Sequence, residues 1–402
     1  MNNLKKYAFA DLYDMASGIS STKDQAGHGA PFVSFSTVFN NYFLPDELPD
    51  LMDTSEKEQE IYSIKEGDIL ITRTSETIDE LAMSCVATKD YPKATYSGFT
   101  KRLRPKTEKI AYSKYLAFYL RGYLFRKAVT NNAFMTLRAS FNEDIFSFLN
   151  LHLPDYEQQV KIGDLLYLIE QKIQLNKKIN DNLEQMANQL YEYWFIQFQF
   201  PNNDNNPYKL SGSPMVYNSL LKIEIPEGWR VKTVASLLDK VPNTLRVQNA
   251  EYKSSGNIPI VDQSASLIAG YTDNTDALLS DEHGYIVFGD HTRVVKYIRF
   301  PFARGADGTQ ILKSSLSCMP TELLYHTITH IDLSNQGYAR HFKFLKDSLV
   351  IVPNDDIAQK FAVQVSIWHE QQKQLLFENM KLSKLRDWLL PMLMNGQATI
   401  DD

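Results

Sequence analysis

The residues best suited to chemistry in this 402-residue sequence do not assemble into a catalytic set. His369-Glu370 opens like a zinc-binding helix, in which two imidazoles one turn apart hold the metal, but Lys373 stands where the second histidine would fall. His326 and His330 are four residues apart, yet no cysteine pair or carboxylate lies at ligand spacing from them. No GxxxxGK[ST] loop is present to cradle a nucleotide. Gly27-His28-Gly29 and Gly305-Ala306-Asp307-Gly308 lack the third glycine of a dinucleotide turn. Asn206-Pro207-Tyr208 shares letters with a tetrapeptide that holds flipped adenines, but it lacks the doubled proline and has no accompanying glycine loop. Pro49-Asp50 has no Glu-x-Lys at nuclease-like distance. The sequence therefore offers no catalytic residues and no metal ligands, and the chain is expected to be non-catalytic on its own.

Binding is the remaining chemistry, and charge is where it shows. The whole chain carries a formal charge of -6, but its distribution is uneven. Residues 1–88 hold 6 basic and 15 acidic side chains, whereas residues 89–138 hold 12 basic and 2 acidic. A milder excess, 8 basic against 4 acidic, returns between Gly284 and Lys346. One such run is commonly a solvated face; its recurrence points to two fields that attract a polyanion. At 44% apolar and 22% charged, with no stretch of 18 apolar residues and no apolar leader, the chain reads as a cytoplasmic globular protein without a membrane partner. Two distant cysteines, Cys85 and Cys318, fit a reducing compartment.

The elements that position these fields are legible from periodicity. Ile162, Leu166, Ile169, Ile173, Leu183, Met186, Leu190 and Trp194 follow the 3,4 spacing of a helix stripe. So do Phe361, Val365, Trp368, Leu375, Leu382, Leu385, Leu389 and Leu393, and a shift of 199 residues lays Pro154 on Pro353 and most of one stripe on the other. Each stripe predicts a helix of about 40 residues, about 60 Å long, whose simplest partner is the other copy. Asn176 and Asn180 fall on the seam, where asparagine fixes register, unless the stripe drifts and turns them to solvent. Pro391 is expected to kink the second helix or end it early.

Each helix follows a segment of short alternating runs, such as IYSIKEGDILITRT and GYIVFGDHTRVVKYIRF, that read as strands. Gly67-Asp68-Ile69-Leu70 matches Gly284-Tyr285-Ile286-Val287, and ATYSGFTKRLRPK at 94–106 matches ARGADGTQILK at 303–313. The predicted fold is therefore α+β, with two mixed α/β domains in a pseudo-twofold arrangement and two long helices forming an intramolecular antiparallel coiled coil. The boundaries are a first domain at 1–152, a central helical spacer at 153–200, a linker at 201–214, a second domain at 215–352 and a C-terminal helical spacer at 353–402. The linker rests on composition, since 11 of its 14 residues are Pro, Asn, Asp, Ser or Gly. Duplicate basic surfaces on a rigid spacer suit a reader of two sites on double-stranded DNA; a non-catalytic coiled-coil scaffold for two protein partners is the alternative.

The run LNKKINDNLEQMANQLYEYWF, with the Pro-led linker after it, resembles the central helical region of the specificity subunits of type I restriction-modification systems. ATYSGFTKRLRPK, VFGDHTRVVKYIRFPFARGADGTQIL and YARHFKFLKD resemble segments of that family's target recognition domains. VPNDDIAQKFAVQVSIWHEQQ departs from the usual Glu-Glu-Gln start of the second helical region. The resemblance implies that each recognition domain reads half of a split DNA target and that the helices dock two methyltransferase subunits, with restriction/translocase subunits beyond them. S-adenosylmethionine, ATP and Mg would then act on the partner subunits, and this chain would bind no cofactor. The residues singled out for DNA are Arg73, Thr74, Tyr96, Ser97, Lys101, Arg102, Arg104 and Arg138 in the first domain, and His291, Thr292, Arg293, Arg304, Asp307, Arg340 and His341 in the second. Lys101 and Arg104 could equally be solubilising surface, and Asp307 either accepts from a cytosine amine or caps its turn. Arg340 and His341 either meet DNA or pair with acidic neighbours. Tyr191, Trp194 and Phe195 either pack on the second domain or dock a partner subunit.

Overall fold

Apolar runs covered on both faces make the central strands. In the computed structural model, which describes residues 4–77, 80–132, 139–334 and 340–400, the chain divides into two compact units. One is formed by Met1–Leu175 with Asn379–Asp402, the other by Asn176–Glu378. In the first unit Ile69–Thr72 is buried along its length between antiparallel neighbours Thr100–Pro105 and Ser84–Val86. In the second unit Tyr285–Gly289, also buried throughout, lies between Val295–Ile298 and Thr309–Leu312. Burial on both faces is why these strands read as unbroken apolar runs rather than as alternation.

The duplication extends to several strand pairings. Phe32 and Val33 pair in parallel with Thr95 and Tyr96 in the first unit, as Ile260 and Val261 do with Ala303 and Arg304 in the second. Lys5–Ala8 pairs antiparallel with Asn150–Leu153, and Arg230–Thr233 with Leu349–Val352. Each closing strand runs into a proline and then a capping residue. The Asp155 carboxylate accepts from the Gln158 amide at 2.9 Å, and the Asn354 side chain from the Ile357 amide at 3.2 Å. These caps start the two long helices, Tyr156–Tyr191 and Asp355–Met394.

Within each unit the two helices pack antiparallel. In the first unit Ile162 and Leu166 join one core with Leu393 and Met394. The Asn379 amide donates to the Ile173 carbonyl at 3.2 Å, and Arg386 bridges to Glu170 at 2.7 Å. Gly163 brings this helix against the helix Ser113–Tyr119: a Cβ there would lie 2.7 Å from the Tyr115 nitrogen, so only glycine fits. In the second unit Ala187, Tyr191 and Phe195 share a core with Ile357, Phe361 and Val365. Asn176 is fully buried and donates to the Glu378 carboxylate at 2.7 Å, so this seam asparagine does not turn to solvent.

Two details of the helices differ from the sequence expectation. After Leu183 the buried face passes through Ala187, Tyr191 and Phe195, while Met186 is exposed and Leu190 and Trp194 are half-buried. Steps of four in place of the alternating three and four rotate the contact line, and the helix closes in a π turn at Glu192–Ile196. Leu385 likewise lies on the exposed side of the second helix. That helix also runs past Pro391 to Met394, because a proline near a helix end removes one ladder bond while few residues remain beyond it. The segment 201–214 is a folded loop in which the Tyr208 hydroxyl donates to the Pro214 carbonyl at 2.7 Å and its ring stacks on Phe200. Cys85 and Cys318 are both free thiols, and burial pushes the Cys85 thiol up to about 12. Among the described residues no helix is long and apolar enough to cross a membrane.

Candidate functional site

Three segments distant in sequence meet at one backbone junction in each unit. In the first, the Arg73 amide donates to the Phe99 carbonyl at 2.8 Å and the Phe141 amide donates to the Arg73 carbonyl at 2.7 Å. In the second, the Asp290 amide donates to the Gly308 carbonyl at 2.8 Å and the His341 amide to the Asp290 carbonyl at 3.1 Å. Backbone pairing of this kind fixes loops whose side chains remain free to vary. The junctions gather most of the residues singled out from the sequence.

In the first unit Arg73 is exposed, and its guanidinium makes no hydrogen bond or ion pair among the described residues. Lys101 is largely buried, with its ammonium on the Ser17 hydroxyl at 2.8 Å. Burial lowers its pKa, and the charge of Arg73 adds to that. Two cations that repel each other are held here, which suits an anion arriving from outside. Thr74 is half-buried in a short strand paired with Ala139–Ser140. Tyr96 and Ser97 build the scaffold: the Tyr96 hydroxyl donates to the Ser17 carbonyl at 3.1 Å, while the Ser97 carbonyl receives both the amide and the hydroxyl of Thr100.

Arg102 and Arg104 face inward. Arg104 grips the fully buried Asp68 with two nitrogens, at 2.8 and 2.6 Å, and also donates to the Ser63 carbonyl. The hydrogen bonds that Arg104 donates to Asp68, outweighing burial, raise the pKa of the Arg104 guanidinium above its ordinary value. Arg102 donates to the same Ser63 carbonyl at 2.5 Å and lies 5.6 Å from the Tyr96 ring centre. Arg121 donates to the carbonyls of Ser84, Val38, Phe39 and Asn41. The basic run thus divides into inward-facing arginines and exposed lysines such as Lys93 and Lys109. Arg138 lies outside the described residues.

In the second unit Gln263 ties the loops together, accepting from the His291 amide at 3.2 Å and donating to the Asp307 carbonyl at 3.0 Å. The Thr292 hydroxyl donates to the Gln263 carbonyl at 2.7 Å. Gly308, at φ +80°, allows this closeness, since a Cβ would meet Gln263 and His291 within 3 Å. His291, Thr292 and Arg293 are exposed, with Arg293 donating to the Leu333 carbonyl at 3.3 Å. The Asp307 turn is held through its backbone carbonyl, and the exposed carboxylate makes no hydrogen bond among the described residues. Arg340 is exposed at the head of the helix His341–Asp347, while His341 is buried in the wall beneath it. Arg304 donates to the Thr309 carbonyl, and burial, then the nearby Arg246, lowers its pKa. Exposed Arg246 and the linking Gln263 were not anticipated; neither carries a sequence signal, because their roles arise from long-range packing. Replacing Gln263 with alanine should speed exchange of the His291 amide by roughly 5- to 30-fold, about 1–2 kcal/mol, in hydrogen-exchange mass spectrometry. Unchanged protection would show that the loop does not depend on this side chain.

Tyr191 and Phe195 lie in the core of the second unit and Trp194 is half-buried beside them, which gives these aromatics a packing role. His326 contacts the Asn188 side-chain oxygen at 3.1 Å, and His330 the His326 carbonyl at 2.8 Å. No group of three or more metal-ligating side chains occurs among the described residues.

Residues 3–185 match the family described as the type I restriction modification DNA specificity domain. The MjaIX specificity subunit of Methanocaldococcus jannaschii is 24% identical over 98% of this chain and 93% of its own length. The HindI specificity subunit of Haemophilus influenzae is 28% identical over 49% of this chain and 42% of its own. The fold is shared with a type I S subunit from M. genitalium, at a TM-score of 0.63 and 12% identity, covering all of this chain and 97% of that one. A duplicated pair of mixed α/β units, each built on a half of two long helices, is thus a fold this chain shares with that S subunit. Residues 3–185 carry a match to that family's domain, and over nearly its whole length the chain is similar to the MjaIX specificity subunit.

Proposed function

We propose that this chain is the sequence-reading, non-catalytic subunit of a type I restriction-modification complex, and that each loop junction binds one half of a bipartite target in double-stranded DNA. The observation that carries this reading is the repeated three-segment junction with exposed cations at its edge, Arg73 in one unit and Arg340 in the other, neither with an ion-pair partner among the described residues. Arginine can grip guanine or phosphate through two nitrogens, and the backbone junctions hold the loops in a fixed register for readout. Partner subunits would methylate adenine with S-adenosylmethionine and, where a restriction/translocase subunit is present, use ATP and Mg to translocate and cut.

Exposed apolar side chains on the long helices support docking of two methyltransferase subunits there. Leu168 and Trp388 in the first unit, and Val363 and Ile367 in the second, stand outside the cores, with Trp388 64% exposed. Arg73→Ala should weaken retention of target DNA by roughly 10- to 100-fold, about 1–3 kcal/mol, with an unchanged thermal transition. Filter binding across a salt series checks this. Wild-type affinity that is independent of salt and sequence would favour the protein scaffold instead.

A further inference from the structure

Phe99 stands 61% exposed at the tip of the turn between strands Thr95–Tyr96 and Thr100–Pro105, although its neighbours Ser97, Thr100 and Lys101 are buried. The turn beneath it is fixed. Its amide donates to the Ser97 hydroxyl at 3.2 Å, its carbonyl receives the Arg73 amide at 2.8 Å, and the Gly98 amide donates to the Ile19 carbonyl at 2.7 Å. Gly18 and Gly98 make this packing possible, since a Cβ on either would fall within 3 Å of backbone oxygen. A large ring held out of the core on a rigid base, one backbone hydrogen bond from exposed Arg73, has the form of an apolar wedge beside a cation.

We propose that Phe99 inserts into a base step of the half-site bound by the first unit, partly unstacking it, while the second unit leaves its half-site stacked. The asymmetry follows from the matching hydrogen bonds. The Arg73 amide donates to the Phe99 carbonyl as the Asp290 amide does to the Gly308 carbonyl, so glycine stands at the wedge position of the second unit. The inference rests on the DNA-reading function but adds a distortion confined to one half of the target.

The test uses the full chain without partner subunits and a duplex carrying the target motif. Electrophoretic bend analysis is combined with permanganate reactivity of thymines in both halves. Wild type should kink the duplex, within the range of about 20–90° seen for inserted side chains, and raise reactivity in one half only. Phe99→Ala should abolish the kink and the reactivity, and Phe99→Trp should keep both. Wild-type binding without a bend, or the same bend in Phe99→Ala, would overturn the wedge and leave DNA reading intact. Failure of the wild type to bind any duplex would overturn both. In a separate capture assay with the methyltransferase subunit added, loss of capture by Phe99→Ala, with bending unchanged, would assign the ring to a protein contact and overturn the wedge.

Discussion

Arg386→Ala should destabilise the first unit by about 3–5 kcal/mol, because it leaves a buried carboxylate without its cation. Glu170 is 7% exposed and lies against Arg386 at 2.7 Å, with the Gln174 amide as its other partner at 2.8 Å. The arginine also sits 5.2 Å from the Tyr42 ring centre, so its loss removes packing as well as charge. In a unit of about 200 residues this corresponds to a fall in Tm of about 10 °C, readable by calorimetry. The double variant Glu170→Leu, Arg386→Met should recover most of the loss, since the desolvated charge is gone from both sides. A single variant that loses less than about 1 kcal/mol would mean that the two helices are not held together here.

Acid should destabilise the second unit before carboxylates begin to titrate. His326 and His369 are buried with their rings stacked at 5.4 Å, and the His369 nitrogens have no hydrogen-bond partner among the described residues. Burial, and then the charge of Arg299, lowers the His369 pKa to about 3. Burial, then His369 and His330, holds His326 well below its ordinary 6.5. Between pH 6.5 and 3 the unfolded chain therefore binds protons that the folded chain refuses, so stability falls as pH falls through this window. From pH 7 to pH 5, His369 alone should account for about 2 kcal/mol, with His326 acting in the same direction. Urea unfolding at the two pH values measures this, and His369→Phe should flatten the dependence. Equal stability of the wild type at pH 7 and pH 5 would contradict it.

The repeat and the helices were legible because they rest on local periodicity and on punctuation by Pro154 and Pro353. The drift of the buried face to Ala187 and Tyr191 was not, since a small alanine between exposed neighbours gives little hydrophobic signal and a π turn has no sequence mark. The same limit governs the loops. Arg73, Arg102 and Arg104 are equivalent as letters, yet a buried Asp68 more than thirty residues away makes Arg104 structural while Arg73, outside the basic run, faces solvent. Gln263 and Phe99 acquire their roles only once backbone bonds bring remote segments together.

In the proposed function the two loop junctions each read their own half of one DNA target. Mapping methyladenine in genomic DNA from cells carrying the wild-type gene, no gene, or the gene with Arg293→Ala and Arg340→Ala tests it most directly. A split motif that disappears without the gene, and whose one half alone loses stringency in the double variant, is the expected result. Methylation that is indifferent to the gene, or a motif that relaxes in both halves together, would contradict the account.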